Sequence, residues 1–322
     1  MARRTLLIGL TVFSLAASSA ACGREGGGSS GGQPKAGEKA KVCLVMKSLA
    51  NDFFQQMRDG AVAHANKRGD LELDAVGTQN ETDIDGQVAA VEKCVTQRVS
   101  AIVIAPADSR ALIAPLKRAS DAGVKVVNID VKLDDDALKG AGLQVPFVGP
   151  DNREGARQSG VELAKKLGRG GKVVMLEGNP GAANAEQRAQ GFKDAVTQGG
   201  LTLLDSKTAH WETDEAHTIT GNMLTAHPDV QGLLAANDAM ALGALKAIQD
   251  AHKTGKVKIA AFDNIPAIQP SLKDGSVVAT VDQYGSTQAA VGIDYAMRMI
   301  KGERITGWQK TQVKLITAAG QS

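Results

Sequence analysis

From Lys41 onward the chain repeats one pattern, a short apolar run followed by a stretch with apolar residues at every third or fourth position. The runs fall at 42–46, 71–76, 101–104, 126–129, 147–149, 173–176, 201–204, 232–235, 259–262 and 278–281. Val, Ile and Leu dominate them without alternating with polar residues, as in strands covered on both faces. Such strands separated by helices form parallel sheets in an α/β chain. Phe54, Met57, Ala61 and Ala65 share one helical face in the first intervening stretch, and Met240, Leu242, Leu245 and Ile248 share one in a later stretch. Ten strands exceed what one compact sheet needs, and Lys39 to Ser322 is too long for a single core of ordinary size. The expectation is an α/β protein with two Rossmann-like lobes, each a parallel sheet flanked by helices.

The residues before this pattern read differently. Arg3 and Arg4 precede an apolar run from Leu6 to Ala17, and small residues then lead to Cys22. That order predicts a secretory signal peptide over 1–21, which takes no part in the fold. A cysteine directly after the small residues resembles a bacterial lipobox, with Cys22 as the lipidated first residue of the exported chain. Residues 23–37 are glycine-rich and include Ser29, Ser30 and Pro34, so 22–40 reads as a flexible tether. The protein is therefore expected in the cell envelope, held by its lipid alone and facing the periplasm or the exterior. Loss of Arg3 and Arg4 lowers the 37 basic residues to 35, equal to the 35 acidic ones. That balance lacks the basic footprint that nucleic acid requires. Cys43 and Cys94 lie in apolar surroundings in a chain bound for an oxidising compartment. They are either packed thiols or a disulfide, with packing slightly favoured because spacing alone cannot supply bonding geometry.

Enzyme chemistry finds no support in the motifs. Gly168-Arg169-Gly170-Gly171-Lys172 lacks the spacing of a phosphate loop and reads as a turn before a strand. The five histidines show no ligand spacing, and no strand–Ser–helix elbow occurs. Asp134-Asp135-Asp136 lacks the alternating ligands and central glycine of a calcium loop, so it reads as a solvated acidic turn. Neither a metal nor a cofactor is expected, and neither is catalysis.

Open parallel sheets bind ligands beyond the carboxyl ends of their strands. Those ends carry Lys47, Asn51, Phe53 and Phe54, then Asp130, then Trp211, Asn237, Asp263 and Gln283. With only six Phe, two Trp and two Tyr in the chain, aromatics at strand ends stand out. Carboxylates and amides beside flat rings suit a neutral polyhydroxylated ligand, whose hydroxyls both donate and accept and whose ring faces pack on aromatics. Asn237 and other strand-end polar residues are equally suited to cap the helices that follow.

The segment Lys47-Ser48-Leu49-Ala50-Asn51-Asp52-Phe53-Phe54, with Asp59-Gly60 in the following helix, resembles the opening of the ribose- and allose-binding proteins. These are type I periplasmic binding proteins that serve ATP-driven sugar importers. The resemblance continues through Ala105-Pro106-Ala107-Asp108-Ser109, Asn128-Ile129-Asp130, Glu177-Gly178, Arg188-Ala189-Gln190-Gly191-Phe192, Asn237-Asp238-Ala239-Met240 and Phe262-Asp263-Asn264 to Gln283. It implies a monosaccharide held between two lobes, 41–150 plus 284–311 and 151–283 plus 312–322, joined by crossovers near Pro150, Gln283 and Gln312. It further implies hydroxyl contacts from Lys47, Asn51, Asp130, Arg188, Asn237, Asp263 and Gln283, with Phe53 and Phe54 on one sugar face and Trp211 on the other. Val131 stands where the ribose proteins have an arginine and the allose proteins an acidic residue, so the resemblance leaves the pentose or hexose unspecified. Lys47 would also accommodate an acidic or phosphorylated sugar. The implied partners are an ABC permease with its ATPase, the protein itself being a monomer, or alternatively a chemotaxis or sensor-kinase receptor.

Overall fold

A computed structural model describes residues 38–318; the expected signal peptide, Cys22 and most of the expected tether lie outside them. The first half of the chain forms β1 (Ala40–Ser48), α1 (Asp52–Arg68), β2 (Leu71–Thr78), α2 (Ile84–Thr96), β3 (Ala101–Ile104), α3 (Ile113–Asp121), β4 (Lys125–Ile129), α4 (Asp135–Gly140) and β5 (Phe147–Pro150). Then come α5 (Asn152–Leu167), β6 (Lys172–Glu177), α6 (Ala183–Gly199), β7 (Thr202–Thr208), α7 (Thr213–Ala226), β8 (Gly232–Ala235), α8 (Asp238–Asp250), β9 (Lys258–Ala260), α9 (Gln269–Lys273) and β10 (Val277–Asp282). The last elements are α10 (Gly285–Ile300), β11 (Trp308–Thr311) and β12 (Lys314–Ile316).

These strands make two six-stranded sheets, ordered β11-β5-β4-β3-β1-β2 and β12-β10-β9-β8-β6-β7. The chain passes from one sheet to the other three times, after β5, after β10 and between β11 and β12. All ten apolar runs of the sequence are strands, and the fold class is the expected one. The antiparallel pairing of β12 with β10 is the single departure from parallel order in these sheets. The two short terminal strands carry no apolar run, because each closes an edge and is largely exposed or half-buried.

Burial of both strand faces explains the unbroken apolar runs. Along β1, Val42, Leu44 and Met46 join one core cluster, while Cys43 and Val45 join a second with Val91 and Cys94 of α2. That second face corrects the packed-thiol expectation. Cys43 and Cys94 form a disulfide with Cα atoms 6.2 Å apart, tying β1 to α2. Cys43 and Cys94 should therefore carry no alkylatable thiol in the denatured chain until a reductant is added. Mass spectrometry checks this, and labelling of both cysteines without reductant would exclude the bond.

Candidate functional site

The carboxyl ends of the two sheets face each other across a crevice closed down to a cavity of about 10 Å³, room for about one water. The first lobe contributes Lys47 at the end of β1, Asn51 at the N-cap of α1, Phe53 and Phe54 in the first turn of α1, and Asp130 just past β4. The second contributes Arg188 on α6, Trp211 past β7, Asn237 at the N-cap of α8, and Asp263 past β9; Gln283 lies in the crossover after β10. All ten side chains named from the sequence thus line one cavity. Two more line it that sequence reading passed over, Glu81 beyond β2 and Asn184 on α6. Both had a signal. Glu81 lies past a strand end like the others, and Asn184 is one helical turn before Arg188, on the same face.

Several of these residues sit on backbone that costs energy to hold. Asp130, Trp211 and Asp263 have φ of 62°, 70° and 119°, values that L-residues visit rarely and that cluster at ligand sites. Gly178 is needed beside them, since a Cβ there would lie 2.0 Å from the Trp211 indole.

Hydrogen bonding divides the lining into groups the protein satisfies and groups it leaves open. Asn51 Oδ1 accepts from Phe53 N and Nδ2 donates one of its two hydrogens to Glu81 Oε1 at 2.8 Å, so its amide positions α1 and Glu81. Asn237 is a cap as well as a lining residue, with Oδ1 accepting from Met240 N at 2.8 Å. Arg188 donates from Nε to Asn152 and from Nη1 to the Ala236 carbonyl, and its guanidinium lies 3.7 Å from the Phe262 ring centre. Gln283 Nε2 donates to Asp263 Oδ1 at 2.7 Å. By contrast, both Asp130 carboxylate oxygens, Asn184 Oδ1 and Trp211 Nε1 are buried without a partner. Val131, next to Asp130, packs in the apolar core and is absent from the lining.

Charge follows the same division. Lys47 Nζ lies 3.2 Å from Glu81 Oε2 and Arg188 Nη1 lies 3.3 Å from Asp263 Oδ1, all four side chains being almost wholly buried. Burial pushes the Asp130 carboxyl up while Lys47 and Arg188 pull it down. Burial likewise raises Asp263 to about 7 against the pull of Arg188. The Lys47 ammonium stands 5.1 Å from the Phe54 ring and 5.3 Å from the Trp211 ring, between an aromatic of each lobe.

Contacts flanking the cavity hold the lobes together. Ser109 N donates to Gly181 O, its hydroxyl accepts from Ala183 N and donates to Lys132 O. On the other side, Glu81 N donates to Glu212 Oε1 at 2.9 Å. Among the described residues no group of three His, Cys, Asp or Glu side chains is placed to hold a metal ion.

A family model described as a periplasmic binding protein domain matches residues 42–304. The chain belongs to the periplasmic binding protein family. Relatives in it include a D-ribose/D-allose-binding protein of Pseudomonas aeruginosa, 46% identical over 87% of this chain and 90% of its own length. A solved ABC transporter solute-binding protein from Burkholderia multivorans superposes with TM-score 0.84 at 46% identity, covering 87% of this chain and 99% of that one; its unknown ligand is represented as alpha-D-erythrofuranose. Another from Actinobacillus succinogenes, with bound D-allose, gives TM-score 0.82 at 35% identity over 87% and 98%.

Proposed function

We propose that this protein is the substrate-binding component of an ABC sugar importer, taking one pentose or hexose of the ribose and allose type between its lobes. One observation carries the reading: buried Asp130 offers two unpartnered carboxylate oxygens in a closed cavity that also holds the unpartnered Trp211 N–H. Adjacent sugar hydroxyls donate to such a carboxylate, and a ring face packs on the indole. The relatives named for D-ribose and D-allose, and the one whose unknown ligand is represented as alpha-D-erythrofuranose, support it. Each lobe supplies part of the lining, so sugar favours the closed form through contacts that the open form lacks. The chemistry of the cavity lining is that of capture. The leader before Cys22 and the lipid on that residue would deliver the receptor to a membrane surface, as a monomer, beside its permease.

Calorimetric titration of the purified, ligand-stripped chain with D-allose, D-ribose, D-xylose, D-galactose, D-glucose and myo-inositol tests this reading. Micromolar binding of one of them, about 8 kcal/mol, is expected. No heat with any, from folded protein, would sink it.

A further inference from the structure

The cavity wall holds two cations, and each is already matched. Lys47 pairs with Glu81 at 3.2 Å, where the side chains are 4% and 2% exposed. Glu81 cannot easily turn away. Its Oε1 accepts from Asn51 and its backbone N–H is tied across the cleft to Glu212. Arg188 pairs with Asp263. Asp130 is left over, an acid with no hydrogen-bond partner. A matched buried pair presents little net charge, so the unmatched charge at this wall is negative. An anion entering it would meet Asp130 in a low-dielectric space, with no free cation to compensate its lost hydration.

We infer that Glu81 is a specificity-determining residue: by neutralising Lys47 it makes the cavity accept uncharged sugars and refuse their phosphorylated and carboxylate forms. This rests on the sugar-receptor reading above and reverses what Lys47 suggests alone. A lysine at a strand end invites an anion; the acid beside it withdraws the invitation.

The test is calorimetric titration of the purified chain and its Glu81→Gln variant with D-ribose, D-allose, D-ribose 5-phosphate and D-glucuronate. The wild-type chain should bind a neutral sugar and bind the anions at least about 100-fold more weakly. In Glu81→Gln the preference should move toward the anions by about tenfold or more, as Lys47 loses its partner. Fit and size cancel, because each ligand is compared with itself across variants. Glu81→Asp, which keeps the charge, should keep the exclusion, and Glu81→Ala gives the same comparison if Glu81→Gln does not fold. Ribose 5-phosphate bound as tightly as ribose by the wild-type chain overturns the inference. So does an equal loss for all ligands in Glu81→Gln, which would make Glu81 a scaffold for Asn51 only. Binding of no neutral sugar by the wild-type chain is a different failure, that of the receptor reading itself.

Discussion

Replacing Asp130 by Asn should weaken sugar binding by about a hundredfold or more, near 3 kcal/mol, and should leave the chain folded. Asp130 is 1% exposed, and neither carboxylate oxygen has a protein partner. Such a group costs free energy in the closed form unless a ligand donates to it, and hydrogen bonds to an ionised acceptor are among the stronger ones. The asparagine keeps the shape but removes the charge and turns one acceptor into a donor, aimed where a hydroxyl hydrogen should point. Opening the cleft lets water reach Asp130, so its burial penalty falls on closure rather than on folding. The variant should therefore close more readily without sugar while gaining less from sugar. Calorimetry reads the first effect on affinity, and small-angle scattering of the ligand-free protein reads the shift toward a compact form. A dissociation constant within about threefold of wild type would remove Asp130 as the acceptor.

Acid should act on the site in the same sense. Burial raises Asp263 to about 7, and the carboxyls of Asp130 and Glu81 are raised from their ordinary values too. Groups whose folded pKa exceeds the unfolded one bind an extra proton when folded. For Asp263 the contribution to stability is full below the unfolded value near 4 and is lost as pH rises through about 7. Sugar affinity moves the opposite way, falling as pH drops below about 7 and Asp263 takes a proton.

The site was legible in the sequence to the extent that it lies at strand ends. Unbroken apolar runs locate the strands, parallel order places their carboxyl ends on one side, and the polar or aromatic residue at each end follows. Lys47, Asp130, Trp211, Asp263 and Gln283 were reached that way. Glu81 also follows a strand end, but there Gln79-Asn80-Glu81-Thr82 has the composition of a solvated turn, which masks it. The ion pair with Lys47, the bond from Asn51 and the bond to Glu212 of the other lobe draw it inward. The Cys43–Cys94 bond escaped for a related reason. Both faces of β1 are apolar, so nothing in the sequence says which face α2 covers. Ser109 shows the limit most clearly. Its bonds to Gly181 and Ala183 exist only once the lobes meet, and no local pattern encodes a contact between residues so far apart in the chain.

Trp211 is where backbone strain, close packing and binding converge, so its removal should be the other large loss. The indole is 3% exposed, and a backbone φ of 70° at Trp211 holds it in the cavity wall. Gly178 packs so closely beneath it that no side chain fits there. Lys47 and Arg188 lie 5.3 Å and 5.4 Å from its ring centre, both within cation–π reach. Trp211→Ala removes the stacking face, the unpartnered Nε1 donor and the barrier to water together. Affinity should fall by on the order of 2 kcal/mol or more, roughly thirtyfold. Trp211→Phe keeps a flat face without the donor and should fall between that variant and wild type. Gly178→Ala leaves the indole chemically intact but displaces it, and should weaken binding in the same direction by calorimetry. Loss in Trp211→Ala with none in Gly178→Ala would mean that the ring tolerates displacement. Wild-type affinity in both would place the sugar elsewhere in the cleft.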